Sequence, residues 1–278
     1  MTFGALIRRG FSTATGARTR PFQVAIDGPS ASGKSTTARL VAKRLGFDYI
    51  DTGAFYRCVT LSALQKGVDP SDSKNISRIA ALASDAKIDL KTEFHASAST
   101  LPTTRVFLDS KDVSSDIRTS NVSKHVSVVA AIPAVRQSVV QKVRALGAED
   151  IDSSAKESKQ TATTSAPSSS RAGLVMDGRD IGTSVLTHAD LKVFLVADSH
   201  VRAVRRLEEL RKNGSQDALL DVKQVQEDLE RRDESDRTRA VSPLRKADDA
   251  IELDTSNLTI EEQVDVIVKE ALRRQGKI

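Results

Sequence analysis

The feature that most constrains the fold is a short apolar run that leads directly into a loop of small residues and then into a helical pattern. The run "FQVAID" ends at residue 27, residues 28–35 read "GPSASGKS", and apolar residues then recur at helical spacing as far as Leu45. A buried strand followed by a glycine-rich turn and a helix is the first unit of an α/β domain. The sequence therefore predicts a parallel sheet with an anion site where this strand meets the helix, since helix N-termini attract negative charge.

The loop matches the phosphate-binding pattern G-x-x-x-x-G-K-[ST], the P-loop, at every fixed position. Its glycines allow backbone N–H groups to converge on one anion. Lys34 is placed to reach the terminal phosphates of ATP, and the Ser35 hydroxyl is placed to bind Mg²⁺. The alternative is a glycine-rich turn without a ligand. The predicted ATP-binding residues of the loop are Gly28, Pro29, Ser30, Ala31, Ser32, Gly33, Lys34, Ser35 and Thr36.

Further short apolar runs alternate with helical patterns along the chain. "LVMD", "KVFLVA" and "AIELDT" have the length and the flanking turn residues of buried parallel strands. Thr259 and Glu262 form a capping box before a last helical segment. Residues 62–150 differ, because "AKIDL" and "TRVFLD" resemble a small antiparallel insertion between helices. We therefore predict an α/β domain over residues 21–278 with a central parallel sheet.

The first twenty residues have a composition of their own. Residues 1–20 contain four arginines and no acidic residue, and the first carboxylate of the chain is Asp27. This composition is typical of a mitochondrial presequence and predicts import into the mitochondrial matrix, with cleavage near Ser12 by the import machinery. The four arginines account for most of the formal charge of +5, so the rest of the chain is close to neutral. A disordered basic tail on a cytoplasmic protein is the alternative.

A second segment of biased composition interrupts the body of the chain. Residues 152–171 are rich in serine and threonine and contain almost no apolar residues. Such a segment cannot bury enough surface to offset the entropy lost on ordering. We expect a disordered surface loop, and a regulatory phosphorylation segment is the alternative.

Several classes of protein are disfavoured by what the sequence lacks. Cys58 is the single cysteine, which excludes an internal disulfide and a cysteine-based metal cluster. The longest mostly apolar run, residues 126–135, is about half of the roughly 20 residues that a membrane-spanning helix needs. A GTP switch would carry an Asn-Lys-x-Asp motif, which is absent. Only 4% of the residues are aromatic, which disfavours a nucleic-acid motor.

Arginines recur in short motifs that lie far apart in the chain. Arg57 lies in "DTGAFYR", Arg118 in "SSDIR" and Arg179 in "DGRDIG", and a cluster follows in residues 230–240, "ERRDESDRTRA". Phosphoryl transfer between two nucleotides explains this set, because two polyanions must be brought together and the charge on the moving group must be neutralised. Arginine suits this task through its planar, bidentate donors. A solvated charged face is the alternative for the last cluster.

Taken together, these motifs resemble those of the bacterial-type cytidylate kinases, also known as CMP kinases. The resemblance runs in order through "IDGPSASGKST", "LGFDYIDTGAFYR", "DVSSDIRT", "VMDGRDIGT", "KVFLVA" and "ERRDESDRTRAVSPLRKADDAIELDTS", from about Phe22 to Leu272. It does not include the serine-rich insertion. The resemblance implies an α/β P-loop nucleoside-monophosphate kinase fold, with a parallel sheet flanked by helices, an inserted monophosphate-binding domain (62–150) and a short lid (231–243).

The resemblance also implies an activity and a set of site residues. The activity is phosphorylation of CMP, and of dCMP, by ATP with Mg²⁺, in a monomer that binds neither nucleic acid nor membrane. Ser114, Arg118 and Asp180 would read cytosine, and Asp236 would hold the sugar hydroxyls. The implied catalytic residues are Lys34, Arg179, Arg232 and Arg239. The implied CMP-binding residues are Thr52, Tyr56, Arg57, Ser114, Arg118, Asp177, Arg179, Asp180, Asp236 and Arg239.

Two of the implied roles keep an alternative. Arg205 would lie over the adenine of ATP or would be a solvated helix arginine. Asp177 would orient the water shell of Mg²⁺ or would stabilise the turn after its strand. Other functions also remain open, namely a P-loop kinase for UMP or AMP, a nucleotide-dependent binding protein that hydrolyses slowly, and a factor associated with nucleic acid.

Overall fold

The computed structural model describes residues 20–94, 101–149, 173–212 and 219–278. The strands are β1 (Phe22–Asp27), β2 (Asp48–Asp51), β3 (Ile88–Glu93), β4 (Thr103–Leu108), β5 (Lys111–Asp112), β6 (Gly173–Gly178), β7 (Leu191–Val196) and β8 (Ile251–Asp254). The α-helices are α1 (Lys34–Leu45), α2 (Thr52–Gln65), α3 (Ile76–Asp85), α4 (Ser120–Ala131), α5 (Pro133–Glu149), α6 (Ser199–Lys212), α7 (Val222–Thr238) and α8 (Ile260–Arg274).

Five strands form a parallel sheet in the order β2-β6-β1-β7-β8. This arrangement confirms the predicted α/β fold with a central parallel sheet. The chain leaves β1 toward β2 on one side and later fills the other side with β7 and β8. The carboxyl end of β1 therefore lies where the strand order reverses, which is where open α/β sheets bind ligands.

The sheet is buried on both faces, as its apolar strands predict. Val24 and Ile26 of β1 pack with α1 and α8, while Ala25 between them faces the cluster formed with α2, α4 and α5. Alternate residues of a strand point to opposite faces, so β1 contributes to two cores. The helix α8 begins with the predicted capping box, in which Thr259 and Glu262 each bond the backbone of the other.

A second, smaller sheet lies within residues 62–150. Strands β3, β4 and β5 pair antiparallel in that order. The helices α3, α4 and α5 belong to the same stretch of chain, between β2 and β6. Residues 231–243 comprise the last turns of α7 and the irregular segment that follows them.

Two predictions fall largely or wholly outside the described residues. Of the predicted leader, residues 1–20, the structure describes only Arg20. The predicted disordered loop, residues 152–171, lies outside the described residues. Arg20 donates hydrogen bonds to Asp190 Oδ2 and to the carbonyl of His188, both at 2.9 Å. The folded domain therefore includes Arg20. None of the helices in the described ranges combines the length and the hydropathy that a membrane crossing requires.

Candidate nucleotide-binding and active site

The P-loop joins β1 to α1 and presses closely against the neighbouring strand. Gly28 has φ +153°, and a Cβ there would lie 2.4 Å from the carbonyl oxygen of Leu195 in β7, so no larger residue fits. Gly33 precedes the helix with φ 89°, and Ala31 also lies in the left-handed region at φ 59°. This tight course carries the backbone of the loop around the N-terminus of α1, which is the position at which the sequence predicts an anion site.

Lys34 is buried and folds back on the loop itself. Its Nζ donates a hydrogen bond to the carbonyl of Pro29 at 2.8 Å. Burial, together with the nearby positive charge of Arg179, lowers the pKa of Lys34 to about 7. A phosphate bound in the loop would supply the negative charge that restores the ammonium form.

Asp177 at the end of β6 is joined to the P-loop helix by a direct hydrogen bond. Ser35 Oγ donates to Asp177 Oδ2 at 2.6 Å, and the Tyr49 hydroxyl donates to Oδ1 at 2.7 Å. Burial and the neighbouring Asp51 raise the pKa of Asp177 to about 6. A hydroxyl and a carboxylate are suitable ligands for Mg²⁺, which usually takes its remaining ligands from water and phosphate. Among the described residues, no group of three or more His, Cys, Asp or Glu side chains is placed to hold a metal ion.

An open pocket lies beside the P-loop, between the sheet edge and helices α2, α4 and α7. It is lined by five arginines and only two carboxylates. The charged lining residues are Arg57, Arg136, Arg179, Arg232, Arg239, Asp180 and Asp236, and the others are Thr52, Gly53, Tyr56, Val126, Ser127, Ala130 and Gly178. The excess of positive charge suits a phosphate-bearing ligand.

Twelve residues are predicted to bind CMP or to be catalytic, and two of them, Lys34 and Asp177, are described above. Of the ten others, eight line the pocket. These eight are Thr52, Tyr56, Arg57, Arg179, Asp180, Arg232, Asp236 and Arg239. The two others, Ser114 and Arg118, do not line it in the structure. Arg118 Nη1 donates to the Ser114 carbonyl at 2.6 Å, and Arg57 Nη1 donates to the nearby Ile117 carbonyl at 2.9 Å. Their segment therefore adjoins the pocket through Arg57.

The carboxylates of the pocket hold three of its five arginines in place. Asp236 accepts from Arg179 Nε at 2.8 Å and from Arg239 Nη1 at 3.2 Å. Burial opposes the ionisation of Asp236, but these two guanidinium groups outweigh it and hold its pKa below the usual value. Asp180 lies between Arg136 and Arg239, with the Arg239 Nη2 atom 3.4 Å from its Oδ1 atom.

In two arginines of the pocket, the surroundings disfavour the charged form. Burial and the charge of Arg232 lower the pKa of Arg57 to about 10. Burial and the charge of Arg179 lower the pKa of Arg232. The Arg232 Nε atom is buried and has no hydrogen-bond partner among the described residues. Mutual repulsion and an unused donor are both relieved when an anion enters.

Arg136 of α5 is a pocket residue that the sequence analysis missed. Its side chain is 2% exposed, forms an ion pair with Asp180, and lies with its guanidinium carbon 5.4 Å from the ring centre of Tyr56. The sequence does carry a signal for this residue, because Arg136 falls on the apolar stripe of its helix. The apolar residues of that stripe are Ile132, Val139 and Val143, which are four, three and seven residues away from Arg136. A charged residue on a buried stripe requires a buried partner.

Asp27 is a second missed residue, and it positions the loop that carries Arg179 and Asp180. The Asp27 carboxylate accepts the backbone N–H groups of Ile181 and Gly182, each at 2.8 Å. Burial raises the pKa of Asp27 to about 7 despite these bonds. Because Asp27 immediately precedes the P-loop, it ties the loop after β6 to the loop after β1.

Arg205 lies at the outer edge of the P-loop. Its guanidinium donates to Thr255 Oγ1 at 3.1 Å and to the Thr255 carbonyl at 2.5 Å. Thr255 Oγ1 in turn donates to the Ser32 carbonyl at 3.2 Å. Arg205 is thus anchored beside the P-loop in this structure.

Comparisons with known proteins give one consistent family. A family model described as cytidylate kinase matches residues 24–154 and 155–273. The cytidylate kinase of Limosilactobacillus reuteri is 42% identical over 257 residues, which cover 92% of this chain and 97% of the relative. That of Chloroherpeton thalassium is 43% identical, covering 90% and 92% of the two chains. That of Pelotomaculum thermopropionicum is 44% identical, covering 88% and 93%.

Proposed function

The chain belongs to the cytidylate kinase family, and we propose that it transfers the γ-phosphoryl group of ATP to CMP, and to dCMP, with release of ADP. The observation that carries this proposal is the position of Arg179. Its Nη2 atom lies 2.7 Å from Ser30 Oγ in the P-loop, and its Nε atom lies 2.8 Å from Asp236 in the arginine-lined pocket. One guanidinium therefore spans the two places that a donor and an acceptor phosphate would occupy.

The proposed mechanism depends on position and charge. A phosphate oxygen of CMP is already anionic near neutral pH, so it attacks the γ-phosphate of ATP without a protein base. Lys34 and the backbone N–H groups of the P-loop hold the donor phosphates. Arg57, Arg179, Arg232 and Arg239 hold the acceptor phosphate and neutralise charge on the group in transit.

The site residues also fit a magnesium ion that enters with ATP. The Ser35 hydroxyl and the Asp177 carboxylate, joined by a 2.6 Å hydrogen bond, would hold it directly or through its water shell. When bound, Mg²⁺ neutralises charge on the β- and γ-phosphate oxygens.

Residues 231–243 are proposed to act as the lid over both nucleotides. They carry Arg232 and Arg239 into the pocket, and the Arg239 Nε atom donates to the Ser242 carbonyl at 2.8 Å, which stabilises the segment's turn. Closure over two bound nucleotides would exclude water and so limit hydrolysis of ATP.

A coupled assay with ATP and a panel of acceptors tests the substrate. We expect turnover with CMP and dCMP to exceed turnover with UMP and AMP. A higher kcat/KM for UMP or AMP than for CMP would support a kinase function but would contradict CMP as the substrate. ADP formation that does not depend on any monophosphate would contradict the kinase function.

We propose that residues 1–20 direct the protein to the mitochondrial matrix. Only their arginine-rich, acid-free composition supports this location, since the compared relatives are bacterial. We expect residues 1–40 fused to a fluorescent reporter to place it in mitochondria. The same fusion with Arg8, Arg9 and Arg18 changed to glutamine should stay in the cytosol. A reporter that stays in the cytosol with the unchanged sequence would contradict the location and favour a cytoplasmic enzyme.

A further inference from the structure

Ser30, the third residue of the P-loop, is held from three directions. Its backbone N–H donates to Asp233 Oδ1 at 3.1 Å, and its carbonyl accepts from Arg202 Nη1 at 3.1 Å. Its hydroxyl accepts from Arg179 Nη2 at 2.7 Å. Arg202 and Asp233 also form an ion pair with each other, and both are buried. Ser30 is therefore fixed to α6, α7 and the loop after β6 at once.

These contacts close into a ring through α7. Asp233 and Asp236 lie one helical turn apart, so they face the same side of the helix. Asp233 binds the Ser30 backbone, while Asp236 accepts from Arg179 Nε at 2.8 Å. Arg179 then returns to the Ser30 hydroxyl. We refer to Ser30, Arg179, Asp233 and Asp236 as the Ser30 ring.

We propose that the Ser30 hydroxyl is a positioning group for the acceptor nucleotide, although it lies on the loop that binds the donor. It fixes the Arg179 guanidinium, which Asp236 holds from the other side, between the two phosphate sites. A long side chain with several rotamers binds more tightly when it is ordered before the ligand arrives. This inference rests on the proposed kinase function.

The variant Ser30→Ala isolates this contact. It removes the hydroxyl but keeps the backbone bonds to Asp233 and Arg202, so the P-loop remains held. We expect kcat/KM for CMP to fall by roughly tenfold, the effect of one charge-assisted hydrogen bond, with a rise in KM for CMP. We expect KM for ATP to stay within about twofold, because the lost bond ends on Arg179. An increase in KM for ATP alone, or no change for either substrate, would overturn the proposal.

Ser32→Ala is a matched control from the same loop. Ser32 is also buried, but its hydroxyl has no hydrogen-bond partner among the described residues. Because Ser32 is itself one of the predicted ATP-binding residues, this variant shows what the loss of a P-loop hydroxyl does by itself, and we expect KM for CMP to rise less in Ser32→Ala than in Ser30→Ala. An equal rise in KM for CMP in both variants would show that any loss from the loop affects the acceptor, and it would overturn the specific role of Ser30.

A double variant tests the ring itself. Ser30→Ala and Asp236→Asn act on the same arginine, so their effects on kcat/KM for CMP should not add. Fully additive losses would contradict the ring. If the unsubstituted protein formed no CDP, the proposed function would fail. Calorimetry would then measure the binding of CMP to the unsubstituted protein and to Ser30→Ala. Weaker binding to the variant would support the positioning role of Ser30, and equal binding would contradict it.

Discussion

Lys34 donates a hydrogen bond to the protein's own backbone, at the Pro29 carbonyl, and the burial of its ammonium group has a pH-dependent consequence. With a pKa of about 7, Lys34 loses its proton as the pH rises through neutrality. Bound ATP favours the ammonium form, so ATP binding should take up a proton above this pH, and the affinity for ATP should decrease as the pH rises. Calorimetry in buffers of different ionisation enthalpy measures this uptake.

Lys34→Met serves as the control for that measurement. It should abolish the proton uptake and lower turnover by roughly a hundredfold or more, because a charge on the transferred group is left without its partner. Its thermal unfolding should remain cooperative, since the charge serves phosphate and not the core. Unchanged proton uptake in Lys34→Met would assign the titration to another group, such as Asp177 or Asp27.

Asp180 is the residue proposed to distinguish cytosine from uracil. Cytosine presents an amine where uracil presents an oxygen, and an ionised carboxylate accepts hydrogen bonds but donates none. We expect Asp180→Asn to reduce CMP turnover. We also expect the ratio of kcat/KM for CMP to kcat/KM for UMP to decrease, by an amount that corresponds to about 1–3 kcal/mol. Both oxygens of Asp180 already face arginines, Arg136 and Arg239. Equal losses with both substrates would therefore show that Asp180 only orders these arginines.

At the scale of elements, the sequence identified strands that stand as separate runs between turn residues. The runs that became β1, β6 and β7 are mostly apolar over six residues, and β8, "IELD", was identified although it has only four residues. The strand β2, "DYID", also has four residues, but it was missed because it begins at Asp48, directly after α1 ends at Leu45. Its two central residues are buried against the sheet, a tertiary contact that local pattern does not show.

The same limit applies to the site. Arg57, Arg179 and Arg239 stood in recognisable motifs, whereas Arg136 and Asp27 act by contacts that join segments distant in sequence. Arg136 meets Asp180 across 44 residues, and Asp27 meets Ile181 across 154. Only the folded sheet, which places β1 beside β6, brings such partners together.

The capping box of α8 provides a stability prediction that leaves the chemistry untouched. Thr259→Ala removes the side-chain acceptor for the Glu262 N–H and should reduce the free energy of unfolding by about 1 kcal/mol, or about 2–4 °C in melting temperature. Hydrogen bonds from the Thr259 backbone N–H and hydroxyl lower the pKa of Glu262, so the part of the capping box that depends on the Glu262 carboxylate is present at neutral pH and is lost as the pH falls through the lowered pKa. Differential scanning calorimetry measures the change, and a loss of activity without a loss of stability would contradict this role.

For the whole molecule, the arrangement of the sheet explains why the two proposed nucleotide sites share one edge. The P-loop follows β1 and the Arg179 loop follows β6, and these strands pair in parallel from Phe22 with Gly173 to Asp27 with Gly178. The carboxyl ends of neighbouring parallel strands meet at the same edge. The segments between β2 and β6, which we propose to bind the monophosphate, would then complete the acceptor side without interrupting the donor side.

Direct transfer of phosphate between the two nucleotides is the central claim, and a label experiment tests it. The protein is incubated with ATP labelled at the γ-phosphate, CMP and Mg²⁺, and the products are separated by chromatography. We predict that the label appears in CDP in equal amount to the ADP formed, with little inorganic phosphate, and that omission of CMP stops ADP formation. Label released as inorganic phosphate at the same rate with and without CMP would contradict the account.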